Sequence, residues 1–88
     1  MKFESSDRLT PGLANVLRES YVYAFDEKTF EGDLQTIGPK RLADMIIHEL
    51  WMKGVHLSQN KYIRGLHVQM LSLEKTGYWD LKALKAFA

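Results

Sequence analysis

The residues best suited to chemistry lie in Ile47-His48-Glu49-Leu50. His followed by Glu opens the helix motif of zinc proteases, in which a second His one turn on brings two imidazoles to one metal. Position 52 is Met, so the motif fails. A looser set remains. Asp44 and His48 stand four apart, on one face of a helix. If the next helix packs antiparallel, turning near residues 55–56, Asp44 lies level with His67. Two imidazoles and a carboxylate can hold Zn²⁺ or Fe²⁺. An exposed His beside an Asp on a helix face is the commoner arrangement, so the expectation is no metal site and no cofactor.

Other catalytic patterns are missing. Gly32-Asp33 and Gly38-Pro39 lack the spacing of a phosphate loop and its Lys-Ser/Thr. Ser5, Ser6, Ser20, Ser58 and Ser72 stand in no nucleophile context, and nothing places two carboxylates in one pocket for acid–base work. The acidic cluster Asp26, Glu27, Glu31 and Asp33 lacks the ligand spacing and closing Glu of a calcium loop and reads as solvated connector. The chain is expected not to be an enzyme.

Nucleic-acid binding is better formed. Two helices joined by a short Gly-containing turn could make a helix-turn-helix, with the second as reading helix. Its first turns would present Gln59, Asn60, Lys61 and Arg64; Gln, Asn and Arg are the types that pair with base edges, and Lys61, Lys75 and Lys82 could meet phosphates. Leu73-Glu74-Lys75-Thr76-Gly77-Tyr78 loosely resembles the end of the reading helix in winged-helix regulators. That resemblance implies a two-stranded wing, whereas Asp80 to Ala88 reads as helical.

These residues need elements to hold them. Residues 1–9 show no period and read as a lead-in. Thr10-Pro11 starts helix A over 10–25: Thr caps, and Pro sits where its missing N–H costs nothing. Leu13, Leu17, Tyr21 and Ala24 recur at helical spacing. Tyr21 to Phe25 is also rich in strand formers, so residues 20–30 could instead form a hairpin. Residues 26–38 read as an acidic connector pinned by Phe30, Leu34 and Ile37. Pro39 opens helix B over 39–53, closed by Gly54. Ser58 caps helix C over 58–76, closed by Gly77, and Asp80 caps a short helix D over 80–87. The expected fold is all-α: one domain, 1–88, a compact bundle of three main helices plus a short C-terminal helix, with a central antiparallel hairpin of B and C.

Composition agrees. The chain has 88 residues, 45% of them hydrophobic and 26% charged, which is ordinary for a folded globular protein. No cysteine is present, so disulfides, thiolate metal sites and cysteine nucleophiles are excluded. A core this small needs a staple, and without disulfides self-association is one solution. No apolar run approaches the roughly 18 residues of a membrane span. The polar, acidic N-terminus does not read as a signal peptide. A cytoplasmic location and no membrane partner are the expectation. The net charge of +1 hides a split: residues 1–38 carry four basic and seven acidic residues, residues 39–88 eight basic and four acidic.

Helical periodicity also locates the sticky surfaces. On helix B, Leu42, Ala43, Ile46, Ile47 and Leu50 form the core stripe. On helix C, Tyr62, Ile63, Leu66, Met70 and Leu73 do so. Met45, Trp51, Met52, Val68 and Leu71 fall off those stripes, as do Val22 and Tyr23 on helix A. Either helix B is wrapped on nearly all sides, or part of this surface meets another chain. Trp and Met are enriched at interface cores. The expected function is that of a non-enzymatic regulator or inhibitor that binds a protein partner, and a homodimer or higher oligomer, through Met45, Trp51, Met52, Val68 and Leu71. The DNA-binding reading through helix C is the alternative.

Overall fold

The computed structural model describes residues 9–26 and 29–88. Residues 1–8 of the 1–9 lead-in and residues 27–28 of the acidic connector lie outside the described residues. Among the described residues the chain is all-helical, with no strand.

Helix α1 spans Pro11–Phe25. The Thr10 hydroxyl accepts from the Leu13 amide at 3.2 Å, and Pro11 occupies the first helical position. The helix runs through Tyr21-Val22-Tyr23-Ala24-Phe25 and stops at Asp26, whose φ of 50° is left-handed. Asp tolerates that conformation better than most residues.

Helix α2, Phe30–Ile37, corrects the expectation of an irregular connector over 26–38. Burial outweighs its glycine: Phe30 and Leu34 are buried, one turn apart, and Phe30 meets the Tyr21 ring edge-on at 5.5 Å. Two polar groups of this region are engaged. The Tyr21 hydroxyl donates to Asp33 Oδ2 at 2.7 Å and pairs with Thr29 Oγ1 at 2.8 Å.

Gly38 alone joins α2 to α3, ending one helix and starting the next. Its φ of 93° with ψ of 156° is open essentially only to glycine. Helix α3, Pro39–Met52, buries Leu42, Ala43, Ile46 and Leu50, while Ile47 is half-buried. Helix α4, Lys61–Thr76, starts three residues later than expected. Asn60, not Ser58, is its cap: Asn60 Oδ1 accepts from the Ile63 amide at 2.9 Å, whereas Ser58 Oγ pairs with His56 Nδ1. Of the expected core face of α4, Ile63 and Leu66 are buried, and Tyr62, Met70 and Leu73 are half-buried.

The chain ends in a short helix α5, Leu81–Leu84, and a 3₁₀ turn, Lys85–Phe87, in place of one continuous helix over 80–87. Gln69, 1% exposed, fastens this segment to α4. Its Nε2 donates to the Asp80 carbonyl at 3.0 Å, and its Oε1 accepts from the Asp80 amide at 2.8 Å. Asn15 Nδ2 donates to the Phe87 carbonyl at 2.6 Å, tying the same segment to α1. Two glycines admit this close approach. A Cβ on Gly12 would collide with the Leu84 carbonyl oxygen, and one on Gly65 would meet the Phe87 ring at 2.6 Å.

The element at the centre is α1. It packs on both α3 and α4 more extensively than these two pack on each other. Its Leu13, Val16, Leu17 and Ala24 have no exposed surface. Each such aliphatic side chain larger than Ala contributes about 1.5–3 kcal/mol by leaving water.

Candidate functional site

The five residues expected at an interface are exposed: Trp51 by 70%, Met52 by 69%, Leu71 by 52%, Val68 by 44% and Met45 by 41%. They do not form one stripe. Each residue turns a helix by about 100°. On α3, Trp51 continues the row Lys40, Asp44, Ile47. Met45 and Met52 lie about 100–120° round the helix, on the row of Arg41 and His48. On α4, Val68 and Leu71 share the outward face with Arg64 and Lys75, all of them exposed.

A cavity of about 770 Å³ opens between the first half of α3 and the second half of α4. Ile37, Ile47, Met70 and Leu73 supply apolar wall, and Pro39 and Leu71 extend it. Lys40, Arg41, Asp44, His67 and Glu74 supply polar groups. The volume lies within the usual range of small-molecule pockets, about 300–1,000 Å³. Asp44 and His67 therefore line one cavity from facing helices. Among the described residues, no group of three His, Cys, Asp or Glu is placed to hold a metal ion.

Leu71 is the one expected interface residue that lines the cavity, and Trp51 stands one turn beyond its Ile47 wall on the same row. Asp44 and His67, expected to lie level across the helix pair, are two more of its walls, whereas the meeting of Ile37, Pro39, Met70 and Glu74 around one space escaped sequence reasoning. Pro39 marks where α3 begins and Gly77 where α4 ends, but only their packing sets these two ends side by side.

The residues expected at a nucleic acid are dispersed in role. Gln59 is exposed and precedes the helix. The Asn60 side chain is occupied by its cap. Lys61 Nζ stands 5.2 Å from the centre of the Tyr62 ring, a cation–π distance. Arg64 and Lys75 are exposed on the outward face of α4, on either side of Val68 and Leu71. The segment between α3 and α4 runs from residue 53 to 60, longer than the three or four residues usual in a helix-turn-helix.

Comparison of the chain with protein-family models, with curated proteins and with solved structures finds no match.

Proposed function

We propose that the chain is a small, non-enzymatic regulatory or inhibitory protein that acts by binding another protein and by pairing with itself. Its mechanism is occlusion. Apolar and aromatic anchors on α3 and α4 enter a partner surface, and surrounding charges set the orientation. The anchors are Met45, Trp51, Met52, Val68 and Leu71. The observation that carries this reading is the exposure of the two consecutive residues Trp51 and Met52 in the last turn of α3, 70% and 69%. Trp is enriched among residues that dominate binding energy, and an exposed Trp–Met pair is a large apolar area for so small a surface.

In this reading α3 and α4 form an antiparallel pair, supported by the cavity they share between the start of one and the end of the other. A cytoplasmic location belongs to the same proposal. No helix among the described residues is long and apolar enough to cross a membrane. Reading of DNA by α4 is the weaker alternative, because the Asn60 side chain is spent on the helix cap and two apolar residues separate Arg64 from Lys75.

The test is the double variant Trp51→Ala, Met52→Ala. Its circular dichroism should match that of the unsubstituted chain, while association measured by light scattering falls. Loss of helical content would make these residues part of the core and end the reading.

A further inference from the structure

We infer that the α3–α4 cavity receives Trp51 from a second copy of this chain. The inference rests on the protein-binding reading above and names the partner of that surface.

Three observations carry it. Trp51 is the most exposed large apolar residue of the described chain, and it continues the helix row that forms one wall of the cavity. Anchor and receptor therefore lie on one face, as an isologous two-fold contact requires. The cavity, about 770 Å³, has room for an indole against the apolar Ile47, Met70 and Leu73.

Charge is the second observation. A face that pairs with its own copy needs both signs, so that each cation can meet the other copy's carboxylate. The cavity lining has them: Lys40 and Arg41 with Asp44 and Glu74. The outward face of α4 between Arg64 and Lys75 carries cations at both ends and would oppose like charges in the same arrangement. Self-pairing therefore favours the cavity face.

Area is the third. A standard interface takes about 800 Å² from each partner. The molecule exposes 5887 Å² and measures 31 × 25 × 22 Å, so an interface of that size covers about one whole face. A contact centred on the α3 row then includes both Trp51 and the cavity mouth. It also supplies the staple that a disulfide-free core of this size otherwise lacks.

The experiment uses the full chain with 5-fluorotryptophan at both tryptophans, followed by ¹⁹F spectra and light scattering across one dilution series. Trp51→Phe assigns the two signals. The expected result is a dimer at high concentration. The Trp51 signal loses its broadening by a soluble paramagnetic chelate as the mass doubles. The Trp79 signal, from a side chain only 6% exposed, stays insensitive throughout. Leu71→Arg, a change at a half-exposed wall whose folding is checked by unchanged circular dichroism, should weaken dimerisation at least tenfold, and Trp51→Ala likewise.

Dimers in which Trp51 stays open to the chelate would overturn the inference while leaving the wider protein-binding reading standing. Weakening by Trp51→Ala with no effect of Leu71→Arg would also overturn it, since Trp51 would dock elsewhere. So would a monomer at every concentration, whether Trp51 is open or folded over its own cavity. A monomer also removes the self-pairing half of the proposed function, whereas the binding of another protein fails separately, on loss of helical content in the double variant.

Discussion

Replacing Gln69 should detach the C-terminal segment. Gln69 is 1% exposed and holds both the amide and the carbonyl of Asp80, at 2.8 and 3.0 Å. No other residue type presents a donor and an acceptor side by side at that length, apart from a protonated Glu. Gln69→Leu fills the space but withdraws both partners. Each neutral hydrogen bond is worth about 0.5–1.5 kcal/mol net, and each buried group left unpaired costs about 1–3 kcal/mol. Allowing for partial rescue by water, the loss is about 3 kcal/mol. For a domain of this size that lowers Tm by about 12–24 °C. Thermal melts by circular dichroism give the number. Trp79, buried beside the clamp, should become solvent-exposed earlier in the melt than the helices unfold. Gln69→Glu adds a check with a definite sign. Burial raises the carboxyl pKa above its unfolded value of about 4.3. The protonated side chain restores the donor, so its stability contribution is full below the unfolded pKa and is lost as pH rises through the folded one. A Gln69→Leu protein melting within about 2 °C of the parent would refute the clamp, because even one lost hydrogen bond should shift Tm by more.

Two glycine substitutions should move stability in opposite directions. Gly12→Ala drives a Cβ into the Leu84 carbonyl and should cost about 1–3 kcal/mol, whereas Gly32→Ala, inside α2 with nothing within 4 Å, should gain about 0.4–1 kcal/mol in urea unfolding. Gly38→Ala forces a side chain onto a φ of 93° and should lower the urea midpoint, by about 1–3 kcal/mol in stability, without changing the slope. Asn60→Ala should cost about 1 kcal/mol and Asn60→Ser much less, while Ser58→Ala leaves the melting temperature nearly unchanged; the reverse order would restore Ser58 as the cap.

What could be read from the sequence was what local physics decides. Thr10-Pro11 and Pro39 mark helix starts, and Gly77 a helix end, because caps and left-handed positions depend on neighbours in the chain. Helical period alone puts Trp51, Met52 and Leu71 off the core stripes, but that they are exposed and not covered by another helix depends on α1, not α3, taking the centre. Helix α2 was hidden because eight residues with a glycine and two acids look like loop, and only the pocket around Phe30 and Leu34 makes them helical. The start of α4 was misplaced because Ser58 and Asn60 are both good caps, two residues apart. Gln69 was overlooked because a polar residue on an apolar face explains itself only when the Asp80 backbone is known to lie across from it. The cavity was out of reach for the same reason: its walls are neighbours in space and not in sequence.

The same geometry accounts for which helix is central. Reading the buried positions of α1 at about 100° per residue, Gly12, Leu13, Val16, Leu17, Ser20, Tyr21 and Ala24 span about half its circumference. The buried positions of α3 span only about 100°. An arc as wide as that of α1 faces α3 and α4 extensively at once, whereas the narrower buried arc of α3 leaves most of its circumference outside the core. Helix α3 therefore flanks the bundle, and the apolar residues off its core stripe, Met45, Trp51 and Met52, face outward. Among the described residues no element covers Trp51, which stands about 80° beyond the edge of the buried arc. A helix that carries more apolar surface than its own fold can use has that surface available for another chain, and this is the physical ground on which the binding proposal rests.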